Sequence, residues 1–164
     1  MPGKGNPQLA SIIGRMIQRN GQIDIPSNGK SMMPLIREGN VCRFVAVQVS
    51  GLRRGDIVLY AAEDGELVGH RLIRVEEQDG ERRFICKGDS NLRPDPPIPP
   101  NRLLGKLVSV KKARYTIDVG KGIAWWWGQW LVHLPWLSWF IRLGLHASAK
   151  VGRRRKWMQA ESKS

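Results

Sequence analysis

Three residue types in this chain could act together on a carbonyl group: the serine of SNGKSMMPLIREGN (Ser31), the histidine of LVGHRLIRV (His70), and the aspartates of KGDSNLRPD (Asp89 and Asp95). A serine hydroxyl becomes a nucleophile only when a base takes its proton, and histidine and lysine are the usual bases. An imidazole, with an ordinary pKa of ~6.5, is already poised, whereas a lysine must be pulled down from ~10.4 by burial. A carboxylate on the far ring nitrogen fixes the tautomer and stabilises the imidazolium; either aspartate has the chemistry for it. Lys30, which adjoins Ser31, and Lys87 are the lysine alternatives. Each of these residues also has an ordinary use. Serine caps helical turns, a histidine among apolar neighbours can be a satisfied core residue, and Gly-Asp-Ser-Asn is good turn chemistry.

The elements that must position these groups are mostly strands. From Val41 to Asp118 the chain runs through VCRFVAVQV, DIVLY, ELVGHRLIRVEE, RRFICKG, LLGKLVSVKK and ARYTID, which alternate apolar and polar residues between Gly, Asp and Pro breaks. Such runs predict strands with one buried face, and several at short spacing predict a mainly β fold: a small folded barrel or sheet. Within LVGHRLIRV the alternation sends Val68, His70 and Leu72 one way and Gly69, Arg71 and Ile73 the other. RPDPPIPP lacks the N–H donors of a central strand and is expected as a stiff loop over one end. Ahead of the strands, Leu9, Ile12, Ile13, Met16 and Ile17 recur at three- and four-residue steps, predicting a short amphipathic helix packed on the body. No secretory signal is visible at this end.

At 164 residues the chain is sized for one core with appendages. Three segments are expected: an N-terminal helix over 1–22, a β domain over 23–120 and a tail over 121–164. With 27 basic and 14 acidic side chains, a net charge of +13, the partner is expected to be anionic. The tail decides which kind. IAWWWGQWLVHLPWLSWFI, Ile123 to Ile141, carries six of the seven tryptophans and no formal charge, and GRRRKW follows it. Tryptophan favours the head-group level, and basic residues beside it attract anionic lipid at about 1 kcal/mol each. Nucleic-acid stacking would interleave aromatic and basic residues rather than place them in successive blocks, so no nucleic-acid partner is expected. The run is 19 residues long, where a span wants ~20, and Gly128, Gln129, His133 and Pro135 interrupt it. An interfacial anchor on an anionic membrane surface is the expectation, with a spanning segment as the alternative. GRRRK favours a cytoplasmic C-terminus. Oligomeric state is not legible. Cys42 and Cys86 lie in apolar strand-like runs and are expected as buried free thiols, and no metal or cofactor is called for.

In their order, GKSMMPLIREGN, RRGDIVLY, VGHRLIRV, CKGDSN, RPD and LLGKLVSV resemble the type I signal peptidase family, nearest its Ser-His branch. The likeness covers roughly 27–110. It implies that Ser31, before Met32 and Pro34, is the nucleophile and that His70, paired with Arg71, is the base. Asp95 would then be the third catalytic member, while Asp89 holds the loop. It further implies hydrolysis of signal or leader peptides through an acyl-enzyme, with an extended peptide lying along a sheet edge beside Ser31 and small residues favoured before the cut. The chain departs from that family in three places. Gly29 stands where many relatives carry a serine that helps bind the oxyanion, leaving the backbone N–H of Ser31 as the chief donor. Asn40 replaces an aspartate. The family's N-terminal membrane span is not evident, and the Trp-rich tail is a candidate replacement. A self-cleaving repressor-type protease, using a Ser-Lys pair, and a non-catalytic peptide-binding module of the same shape are the rival readings.

Overall fold

Asn6 starts the first element, its side chain accepting from the N–H groups of Gln8 and Leu9, and Pro7 presets the first turn. The helix α1 (Pro7–Asn20) ends where Gly21 takes a left-handed conformation, with φ of 76°. In the computed structural model, which describes residues 5–78 and 80–120, α1 is followed by seven strands. The Trp-rich run and basic tail, which carry the membrane expectation, lie outside the described residues. Among the described residues no helix is long and apolar enough to cross a membrane.

The strands are β1 (Gln22–Pro26), β2 (Val41–Val45), β3 (Ile57–Ala61), β4 (Leu67–Gln78), β5 (Glu81–Lys87), β6 (Leu103–Lys111) and β7 (Thr116–Asp118). Every pairing is antiparallel, in the order β1-β2-β6-β3-β4-β5, with β7 against β6. The protein is therefore mainly β, one N-terminal helix on a seven-stranded antiparallel sheet. Six of the strands coincide with runs expected from alternation, β3, β4 and β5 each extending one residue past the run. The first run is cut short: VCRFV pairs, but a register shift between Arg43 and Phe44 bends β2, and Ala46 gives its N–H to Gly21 instead. β1 was not foreseen, because QIDIP is short and ends in proline. Proline is tolerated there because β1 is an edge strand.

Two apolar clusters flank β3. Ile57 and Leu59 enter one, with Ile13, Ile17, Met32, Ile36, Phe44 and Leu107. Val58 and Tyr60 enter the other, with Leu72, Phe84, Cys86 and Ile98. This two-sided burial is why IVLY is continuously apolar rather than alternating. The helix set apart as 1–22 is part of this body, since Ile13 and Ile17 are core residues. Its apolar positions divide, however: Leu9, Ile12 and Met16 stand exposed. The proline-rich loop leaves the sheet as expected, but Ile98 returns to exchange two backbone hydrogen bonds with Phe84 on the outer side of β5.

The length of β4 creates the feature that matters most for function. β3 pairs with Leu67–Arg71 and β5 with Arg71–Gln78, so the strand has both neighbours only at Arg71. Leu67 to His70 carry β3 on one side and, among the described residues, no strand on the other.

Candidate active site

His70 is the last residue of that half-paired stretch. As alternation requires, its side chain lies with Val68 and Leu72 on the side of the Tyr60 cluster, and Tyr60 meets the imidazole edge-on at 6.5 Å between ring centroids. Ser31 comes from the turn Ser31–Leu35, which is not an α-helix, and the hydroxyl goes to His70 rather than capping a helix. Met32, Leu35 and Ile36 anchor this turn in the core, while Pro34, after a cis peptide bond, faces solvent. The Ser31 Oγ lies 2.9 Å from His70 Nε2, and His70 Nδ1 lies 2.7 Å from Asp95 Oδ2. A carboxylate only accepts, so Nδ1 carries the proton and Nε2 is left to accept from Ser31. The His70 and Asp95 side chains are 10% and 17% exposed, enough for a substrate to reach the relay.

The two aspartates separate. Asp95 is set by its own N–H, which donates to the carbonyl of Cys86. Asp89 is not brought to His70. It takes two hydrogen bonds of 2.8 Å from Arg71, whose remaining arm donates to the carbonyl of Gly55. Both partners are almost fully buried. Of the catalytic candidates, Asp89 is thus a holder of the loop, joined through Arg71 to the Gly55-Asp56 turn.

Three supporting residues escaped the sequence reading. Ser90, which had looked like ordinary turn chemistry, accepts nothing from the nucleophile but holds its backbone: its N–H and Oγ donate to the carbonyl of Ser31 at 2.8 and 3.1 Å, and Oγ also reaches that of Lys30 at 2.9 Å. Gly88 allows this close approach, because a Cβ there would lie 2.9 Å from the Cβ of Ser31 and 2.8 Å from Asn91 Nδ2. Tyr60 is held protonated, its pKa raised first by burial and then by the charge and hydrogen bond of Asp95. Sequence offered a signal for Gly88 alone, a glycine just before the aspartate.

Gly29 has φ of 99°, a conformation that strains any side chain, so a serine would not fit this backbone without cost. Its place by the nucleophile is nevertheless as expected: Gly29, Ser31 and Met32 line a cleft of about 650 Å³ with Ile25, Phe44 and Gly69. Among the described residues the N–H of Ser31 has no acceptor. Cys42 and Cys86 are buried and free, and burial pushes their thiols up to about 11 and about 12. No protein-family model matches the chain, and no curated protein matches it in sequence.

Proposed function

We propose that this protein is a serine endopeptidase of the type I signal peptidase kind, cleaving signal or leader peptides through a Ser31 acyl-enzyme, with the sheet as its folded β catalytic core. The observation that carries the reading is the continuous Asp95–His70–Ser31 relay, with links of 2.7 and 2.9 Å, standing at the end of an open strand edge. An extended peptide has somewhere to bind: the free side of Leu67–Gly69 offers backbone donors and acceptors of the kind used in strand addition. The cleft beneath is mostly apolar.

In this mechanism a peptide carbonyl lies over Ser31. As Oγ attacks, His70 Nε2 takes its proton, and Asp95 stabilises the resulting imidazolium without itself being protonated. The N–H of Ser31 faces the developing oxyanion, a role worth ~2.7 to 4 kcal/mol per donor in related chemistry. His70 then returns the proton to the leaving amine, and water, deprotonated by the same nitrogen, hydrolyses the ester. The Trp-rich run and basic tail would hold the enzyme at an anionic membrane surface, where such leaders are presented.

A Ser-Lys mechanism has one observation in its favour: burial, partly offset by the charge of Asp89, lowers the pKa of Lys87. Against it, the hydroxyl of Ser31 is already engaged by His70. Incubation with a synthetic leader peptide, followed by mass spectrometry, separates the readings. Cleavage by wild type and not by Ser31→Ala is expected; cleavage that survives His70→Ala points to lysine, and no Ser31-dependent cleavage leaves only a peptide-binding module.

A further inference from the structure

The cleft beside Ser31 limits what can be cut. A strand laid along the free edge of Leu67–Gly69 turns alternate side chains to the same side, so two residues separated by one face the cleft floor and the middle one faces water. That floor is apolar: Met32, Ile36, Cys42, Phe44 and Leu59 are all buried. The ring of Phe44 reaches up to the edge itself, with its Cζ 3.6 Å from where a Cβ on Gly69 would stand. Apolar side chains, alanine methyls among them, suit the two inward positions.

Ala147 and Ala149 are the one pair of alanines two positions apart in the chain. They flank Ser148, so that on an edge of this kind two methyl groups would face the floor and a hydroxyl would face solvent. The pair lies six residues beyond the end of the Trp-rich apolar stretch, past Arg142-Leu-Gly-Leu-His146, and an apolar run followed by small-x-small is the general form of a leader cleavage site. Ala149 is 29 residues beyond Gly120, the last described residue, a stretch that spans on the order of 100 Å when extended. Reach is therefore no obstacle.

From this match, and resting on the peptidase reading above, we propose that the protein's own tail is a substrate of the Ser31 site, cut between Ala149 and Lys150. Ser31 Oγ forms an ester with the carbonyl carbon of Ala149 as its bond to the Lys150 nitrogen breaks. The hydroxyl proton passes through His70 to that leaving amine, and one water then frees the Ala149 carboxylate and restores Ser31. The released piece holds six basic residues and one acidic, a net +5 of the chain's +13. Cutting separates the basic cluster from six of the seven tryptophans, so the reaction would lower electrostatic attraction to anionic lipid while leaving the aromatic run attached to the β domain.

The test follows the intact mass of the purified full chain in detergent micelles, with a synthetic leader peptide containing Ala-x-Ala in a parallel reaction. The expected result is a Ser31-dependent product ending at Ala149 and a fragment beginning at Lys150, both absent from Ser31→Ala. Ala149→Trp should abolish self-cleavage at that bond while the same preparation still cleaves the peptide, which also shows that it is folded. Peptide cleavage with an intact tail overturns this inference and leaves the peptidase reading standing; so does a cut after position 149 that persists in Ala149→Trp. Failure to cut either substrate overturns the peptidase reading and this inference with it.

Discussion

Two neighbouring residues of β4, His70 and Arg71, are each met by an aspartate from the same loop, and the two pairs do opposite things. His70 with Asp95 lies on one face of the strand, partly open, with its second nitrogen directed to Ser31. Arg71 with Asp89 lies on the other, its side chains 2% and 1% exposed, every contact directed inward to the Gly55 turn. The period-2 pleat is what separates them: adjacent side chains cannot share a face, so one loop spaced by six residues can supply an orienting carboxylate to one side and a buried anchor to the other. Similar ion pairs thus divide into one that can work and one that holds.

Breaking each pair in turn should give different kinds of loss. The largest effect is expected from Asp95→Asn, which keeps the shape but favours the wrong imidazole tautomer; peptide turnover should fall by about 10⁴-fold while the urea midpoint changes little. Asp89→Ala should do the reverse. It strands the Arg71 guanidinium in the interior, and loss of about 3–5 kcal/mol of stability is expected by chemical denaturation. Replacing both partners sharpens the contrast, because Arg71→Met with Asp89→Leu removes both charges of the pair and should recover most of that stability together with peptide cleavage.

Gly88→Ala probes the space between the aspartate loop and the nucleophile. A methyl group there collides with the Cβ of Ser31 and the side chain of Asn91, and a shift of about 1 Å in the nucleophile should lower kcat on the order of 10²-fold. KM should change far less.

The effect of pH on stability is expected to be the smallest near neutrality and to grow in alkali. Cys42, Cys86 and Tyr60 have raised pKa values in the folded state, so above the ordinary thiol value of 9.0 the folded chain holds protons that the unfolded chain has released. Their contribution is intact below that pH and declines as the pH rises toward about 11 and about 12, the folded values of Cys42 and Cys86. Lys87, lowered by burial from 10.5, acts in the opposite direction below that value, one group against three. Urea titrations from pH 7 to 11 should show stability level at first and then falling, with a shallower fall in Cys86→Ala.

The sequence made the facing of β4 legible, since Val68, His70 and Leu72 do share one side, and it made most strands legible through their alternation. What it hid depended on long-range contacts. Nothing in KGDSN distinguishes an aspartate that meets Arg71 from one that meets His70 without knowing which face each strand residue occupies; resemblance, not spacing, favoured Asp95. Tyr60 looked like one more residue of the DIVLY strand. The exposed stripe of Leu9, Ile12 and Met16 was read as core because helical periodicity reports an apolar face and not its width. Ser90 could not be connected to the Ser31 backbone, 59 residues away, from sequence alone.

The most direct test of the central claim, that His70 activates Ser31, is the rate at which a serine-directed electrophile forms an adduct at Ser31, read by intact mass and peptide mapping. Labelling of wild type, none in Ser31→Ala, and a fall of at least about 10³-fold in His70→Ala with Lys30 and Lys87 untouched is the expected result. Labelling of Ser31 at an undiminished rate in His70→Ala would contradict the claim.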